Sequence, residues 1–119
     1  MIKIEDEVHF DKYDLPILLV RIDKSYIPGK SDLDKSIKEH WRLKKDKVVS
    51  VRYVCGVYRG IIQRVYKPDK WLDSTKVSND PKAKNRLYFE GKIAESVNKK
   101  YEGKNASRYF TRNPVRYVV

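Results

Sequence analysis

The sequence predicts a small α+β domain, a mixed and curled sheet of about five short strands with two or three flanking helices. Three observations predict it. The chain has 119 residues, close to the commonest size of a single domain. Short runs of β-branched and aromatic residues alternate with only two stretches of helical spacing, in the order β–α–β–β–β–α–β. Five short strands with so few helices do not make a parallel sheet covered on both faces, whereas a small mixed barrel with helices plugging its ends can bury them. Hydrophobic residues make up 40% of the chain, with 5 Gly and 5 Pro. That suffices for one modest core and excludes a disordered tail, a collagen-like chain and a multidomain enzyme.

Residues 1–15 mix charged and apolar positions and end in Asp14-Leu15-Pro16, as expected of an arm or a short edge strand preceding one domain over 16–119. Pro16 to Ile22 (PILLVRI) is a compact apolar run and reads as a central strand. Ile27-Pro28-Gly29-Lys30 punctuates a loop. Ser31 then offers a hydroxyl to the free N–H groups of a helix, with Asp34 at the capping-box position. Leu33, Ile37 and Trp41 recur at i, i+4 and i+8, so this helix is expected to run through Trp41, with Lys44 and Lys45 favouring its negative end.

Val48 to Tyr58 and Ile61 to Lys67 read as an antiparallel pair, with Gly56 or Arg59-Gly60 marking a bulge or tight turn and Pro68 stopping the second strand. Alternation puts Val51, Tyr53 and Cys55 on one face. Arg52, Val54 and Gly56 fall on the other, the basic exterior that also carries Arg21, Arg64, Arg86, Lys92 and Arg116. Asp73 to Asn85 is the longest loop. Arg86 to Ile93 is a strand, and Glu95 to Tyr101 a short helix closed by Gly103. Ala106 to Phe110 suits one more turn, and Pro114 to Val119 a terminal strand.

Charge separates the ends of the chain. The whole carries 27 Lys+Arg against 16 Asp+Glu, a formal net charge of +11. Residues 1–20 are net −3, residues 21–60 net +6 and residues 61–119 net +8. A basic body behind an acidic leader is the asymmetry of a polyanion binder; the bland alternative is a chain that is merely rich in lysine. The acidic opening does not resemble a signal peptide. The longest apolar run, Pro16 to Val20, is far short of the ~20 residues that span a bilayer. The single Cys55 excludes an internal disulfide and a cysteine zinc site. A cytoplasmic protein without a membrane partner is expected.

The helix ending in Trp41, the strand pair VRYVCGVYRGIIQRVY and the following Trp71 resemble the PUA-like superfamily, which includes the ASCH, EVE and YTH domains. Gly60-Ile61-Ile62-Gln63-Arg64-Val65 matches the G-x-h-x-x-V run of its hairpin, and the resemblance covers roughly residues 16–119. It implies a PUA-like barrel that binds RNA or DNA with modified bases. The residues independently point the same way. Aromatic side chains sit beside cations at Trp41-Arg42, Arg52-Tyr53, Tyr58-Arg59, Tyr66-Lys67, Lys70-Trp71, Lys100-Tyr101, Arg108-Tyr109 and Arg116-Tyr117. Cations engage phosphates, and aromatic faces stack unpaired bases. The same tyrosines serve equally as core packing, and Trp41 continues the apolar stripe of its helix. The expected contacts are Lys30, Tyr58, Arg59, Arg64, Lys67, Trp71, Arg86, Arg108 and Arg112. Arg64, Arg86 and Arg108 are phosphate clamps in this reading, and Trp71 or Tyr58 a stacking surface.

Two other classes compete with a non-catalytic nucleic-acid-binding module. Asp69, Glu90 and Lys92 spell the PD…ExK pattern of Mg²⁺-dependent PD-(D/E)xK nucleases, in which two carboxylates hold the metal and the lysine activates water. The pattern is short, a lysine-rich chain produces it readily, and Asp69 is expected in a Pro-turn rather than on a strand. Gly56-Val57-Tyr58 lacks the second half of a GIY-YIG motif. His9 and His40 belong to no metal pattern, no P-loop is present, and no resident cofactor or metal is expected. A phage or mobile-element protein that binds and modulates a host protein is the remaining class; it requires an apolar patch on a charged surface.

Overall fold

The computed structural model describes residues 7–119. Strands β1 (Ile17–Arg21), β2 (Tyr53–Tyr58), β3 (Ile61–Asp73), β4 (Leu87–Ile93) and β5 (Val115–Val118) form one sheet in the order β4-β3-β2-β1-β5. β1 and β2 are parallel, and every other neighbouring pair is antiparallel. Helices α1 (Leu33–Lys38) and α2 (Lys45–Val48) lie in the crossover that a parallel pair requires, and α3 (Glu95–Tyr101) joins β4 towards β5. This is the α+β class expected, a five-stranded mixed sheet with three flanking helices.

The sheet is apolar on both faces. Successive strand residues point to opposite sides, and the first four positions of β1 are all buried. Ile17 and Leu19 pack with Cys55, Val57 and Val65, beneath Val97 and Tyr101 of α3 and Val8 of the N-terminal segment. Leu18 and Val20 pack with Val54, Tyr66 and Phe89, beneath Ile37 of α1. The expectation of one core with a polar exterior is therefore corrected. Val54 is fully buried, and α1 lies so close that Ile37 occupies the space a side chain at Gly56 would need. Val51 sides with Val54 rather than Cys55, because it precedes the strand and escapes its alternation.

The local signals for α3 and for the β2–β3 hairpin are realised. α3 spans the expected residues, and Gly103 beyond it takes φ +84° and donates its N–H to Ile62 O at 2.8 Å. Arg59 (φ +48°) and Gly60 (φ +82°) form the two-residue turn, and the register shifts at Gly56/Val57. The expected loop 73–85 contains two 3₁₀ turns, Ser74–Lys76 and Pro81–Ala83, and a third covers Ser107–Tyr109.

Three boundaries are corrected. β2 begins at Tyr53 rather than Val48, because Lys45–Val48 form α2 and the chain only then turns into the strand. α1 is capped by Asp32, whose carboxylate accepts the Lys35 N–H, and it stops at Lys38; Ser31 instead accepts the Ile27 N–H in the preceding turn. Trp41 is no longer helical. Its indole donates to the terminal carbonyl of Ile37 at 2.7 Å, and its backbone pairs with Leu87. β3 runs straight past Pro68 to Asp73. The ladder to β2 ends at Tyr66, so Pro68 stands where β3 has a neighbour on one side only, at a bulge against β4, and its missing N–H costs no bond.

Of the expected N-terminal arm, residues 1–6 lie outside the described residues. Residues 7–15 pack down: Val8 N–H donates to Asn105 O at 2.9 Å, and Phe10 meets Tyr101 edge-on. No helix among the described residues is long and apolar enough to cross a membrane.

A single strap of chain, residues 39–51, touches both outer strands of the sheet. Trp41 pairs with Leu87 at the start of β4, and the Lys47 ammonium lies over the Tyr117 ring of β5 at 5.5 Å. Arg86 beside β4, Val115 of β5 and strap residues 39–42 line one cleft, a seam between the two borders of the sheet.

Candidate nucleic-acid interface

Beside the strap the seam opens into a cleft of about 670 Å³. Its cations are Arg21, Lys24, Arg42, Arg86 and Arg112; its carboxylates are Asp23 and Glu39, and Trp41 supplies an aromatic wall. Each group is placed by its element. Arg21 ends β1, its N–H bound to Pro114 O at 2.7 Å and its guanidinium over the Phe110 ring at 5.6 Å. Trp41 is fixed by its indole bond to α1. Arg86 enters β4 from the long loop, and its Nη1 donates to His40 O at 3.3 Å. Its Nε is buried without a partner. Lys24, Arg42 and Arg112 are exposed.

Neither carboxylate lies within ion-pair distance of these cations. Asp23 accepts the Arg59 N–H at 2.8 Å, and Glu39 lies 3.3 Å from His40 Nε2. Among the described residues no ion pair involves any of the five cations. The cleft thus holds a surplus of positive charge partly shielded from water, where attraction to an anion is stronger than on an open surface.

Glu39, His40 and Ser74 are bonded in sequence, His40 Nδ1 lying 2.6 Å from Ser74 Oγ. They are the residue types of a nucleophilic triad, but Ser74 is fully buried and its hydroxyl cannot meet a substrate. The chain of bonds pins the strap to the turn after β3.

The other expected contacts are dispersed. Of the nine, only Arg86 and Arg112 reach the cleft. Arg64 is bound within the fold: its guanidinium lies 2.9 Å from Asp34, which also accepts from the Tyr66 hydroxyl. Burial raises the Asp34 carboxyl, but the Tyr66 bond and the charges of Lys38 and Arg64 outweigh it and hold the group below its ordinary value. Arg108 bridges Glu7 at 3.2 Å and Val8 O at 2.7 Å, tying the N-terminal segment down. Arg59 lies over the Tyr58 ring at the hairpin turn, and Lys30 and Lys67 are exposed elsewhere. Trp71, expected as an exposed platform, is half-buried against Phe89 with ring centroids 5.0 Å apart. It lines a second cleft of about 570 Å³, in which Lys45 and Lys70 are balanced by Asp46 and Asp69.

The nuclease pattern is also placed. Asp69 stands on β3 at the bulge, not in a turn, which corrects its expected setting. Glu90 faces Lys70 across the ladder with 3.9 Å between charged atoms, and Lys92 is opposite Lys67. All three are exposed, and the described residues contain no group of three His, Cys, Asp or Glu placed to hold a metal.

The expected contacts did not include Arg21, Lys24, His40 or Arg42; Trp41, expected in the core, does pack against the cluster around Ile37 and Phe89 and also lines the cleft. Only the pairing of Trp41 with Leu87 brings His40 and Arg42 beside Arg86, and no local pattern signals it. No family model, curated protein or solved structure matches the chain.

Proposed function

We propose that the protein is a non-catalytic nucleic-acid-binding module that holds an unpaired stretch of RNA or DNA at the seam cleft. One observation carries this reading: five cations surround one cleft with no carboxylate partner among the described residues, next to an immobilised tryptophan. The guanidinium groups and Lys24 receive phosphates, and Trp41 offers an apolar face to a base. The net charge of +11 adds long-range attraction. The mixed five-stranded sheet with α1 packed on one face supports reading the domain as PUA-like. A reducing, cytoplasmic setting belongs to the same proposal, since a chain with one cysteine has no internal disulfide.

Fluorescence anisotropy with labelled single-stranded RNA, single-stranded DNA and duplex tests it. Single strands are expected to bind best, with log K falling against log[salt] by about 0.7 for each phosphate engaged. Absent binding at low salt, or binding indifferent to salt, would overturn the proposal.

A further inference from the structure

We infer that the seam cleft recognises a phosphomonoester, the phosphorylated end of a nucleic-acid strand, in preference to the internal phosphodiesters of a chain passing by. This deepens the proposed function and rests on it.

The first support is charge matching in a confined space. The five cations exceed the two carboxylates by three, in a cleft whose volume is that of a small-molecule site. An internal phosphodiester brings one negative charge, and each further one lies a nucleotide along the strand. A terminal phosphate brings close to two in one place and is followed by a diester. It therefore meets the surplus within a single site.

The second support is Arg86. Its guanidinium is half-buried, held along one edge by the His40 carbonyl, with no carboxylate beside it among the described residues. An unpaired cation kept partly out of water is destabilising. A planar guanidinium fixed at one nitrogen leaves its other terminal nitrogen free to bond phosphate oxygens, and such charge-assisted bonds are strong. Arg42 and Arg112 line the same cleft and supply the remaining donors.

The third is preorganisation. Trp41 cannot rotate away without losing its bond to Ile37 O. A terminal base, lacking a stacking neighbour on one side, gains most from such a fixed aromatic wall.

The test uses the full chain and three single strands of one sequence, bearing a 5′-phosphate, a 3′-phosphate or no terminal phosphate, in both RNA and DNA. One phosphorylated strand is expected to bind at least about fivefold tighter than the unphosphorylated one, with a steeper salt slope. Arg86→Gln and, separately, the exposed Arg42→Gln are expected to abolish that preference. Lys99→Gln on α3 should retain it, and thermal melts report whether each variant is folded. Competition by a nucleoside monophosphate as strong as by the phosphorylated strand would support the phosphomonoester site and assign its source to a free nucleotide. Equal affinity for all three strands would overturn the inference and leave the nucleic-acid reading standing. Failure of every strand to bind would overturn both.

Discussion

The protein has two regions where charged side chains gather, and they are built in opposite ways. At the N-terminal segment, cations and carboxylates are matched: Lys100 lies 2.8 Å from Asp14, Tyr101 also donates to Asp14, and Arg108 meets Glu7. Burial raises the Asp14 carboxyl, but bonds from Lys100 and Tyr101, with the charges of Lys100 and Arg52, hold it below its ordinary value. At the seam cleft, five cations outnumber two carboxylates, neither of which is ion-paired with them. The first region spends its charges on holding a chain segment in place. The second leaves them available. Net positive charge alone therefore does not distinguish the two regions; whether the cations are ion-paired does.

This contrast can be broken most directly at the cleft. Replacing the exposed Lys24, Arg42 and Arg112 together by Gln should weaken single-strand binding on the order of 100-fold near 0.1 M salt and flatten the salt slope by about 2, with an unchanged melting temperature. Anisotropy and thermal melts measure both; a large loss of stability with intact binding would invert the assignment. Asp14→Ala should do the reverse. It leaves the Tyr101 hydroxyl, which still accepts the Asp11 N–H, without an acceptor for its own proton, and should lower stability by about 2 kcal/mol in a denaturant titration without altering affinity.

Acid sharpens the comparison further. Asp14 and Asp34 have folded-state values below their unfolded ones, so their contribution is complete above the unfolded value, near pH 4, and is lost as pH falls through the folded values. Melting temperature should drop below about pH 4, and Asp14→Asn should make that drop shallower. The smallest effect is expected from Arg108→Gln. Its ion pair is exposed, and affinity for single strands should change by less than about twofold. A loss equal to that of the cleft variants would merge the two regions into one surface.

How far the sequence revealed this follows from the range of each interaction. α3 and the Arg59-Gly60 turn were legible because their determinants lie within a few residues: the Val97/Tyr101 spacing, Gly103 at a positive φ, and two turn positions. The end of α1 was not, because Trp41 satisfies the helical spacing while its backbone finds a better partner in Leu87. Pro68 reads as a terminator, and only the early end of the β2 ladder makes it harmless. The site was harder still. Arg21, Arg42, Arg86 and Arg112 converge from distant parts of the chain. Arg64 and Arg108 look as available in sequence, yet their carboxylates stand 30 and 101 positions away.

The strap across the seam has a mechanical consequence. By contacting Leu87 on one border and Tyr117 on the other, it works as a tie-rod between the strands whose neighbours Arg86 and Val115 line the cleft. A single tryptic nick among its exposed lysines, Lys44 to Lys47, would sever the rod while leaving every cation in the molecule, so the nicked protein should keep its charge and lose its grip.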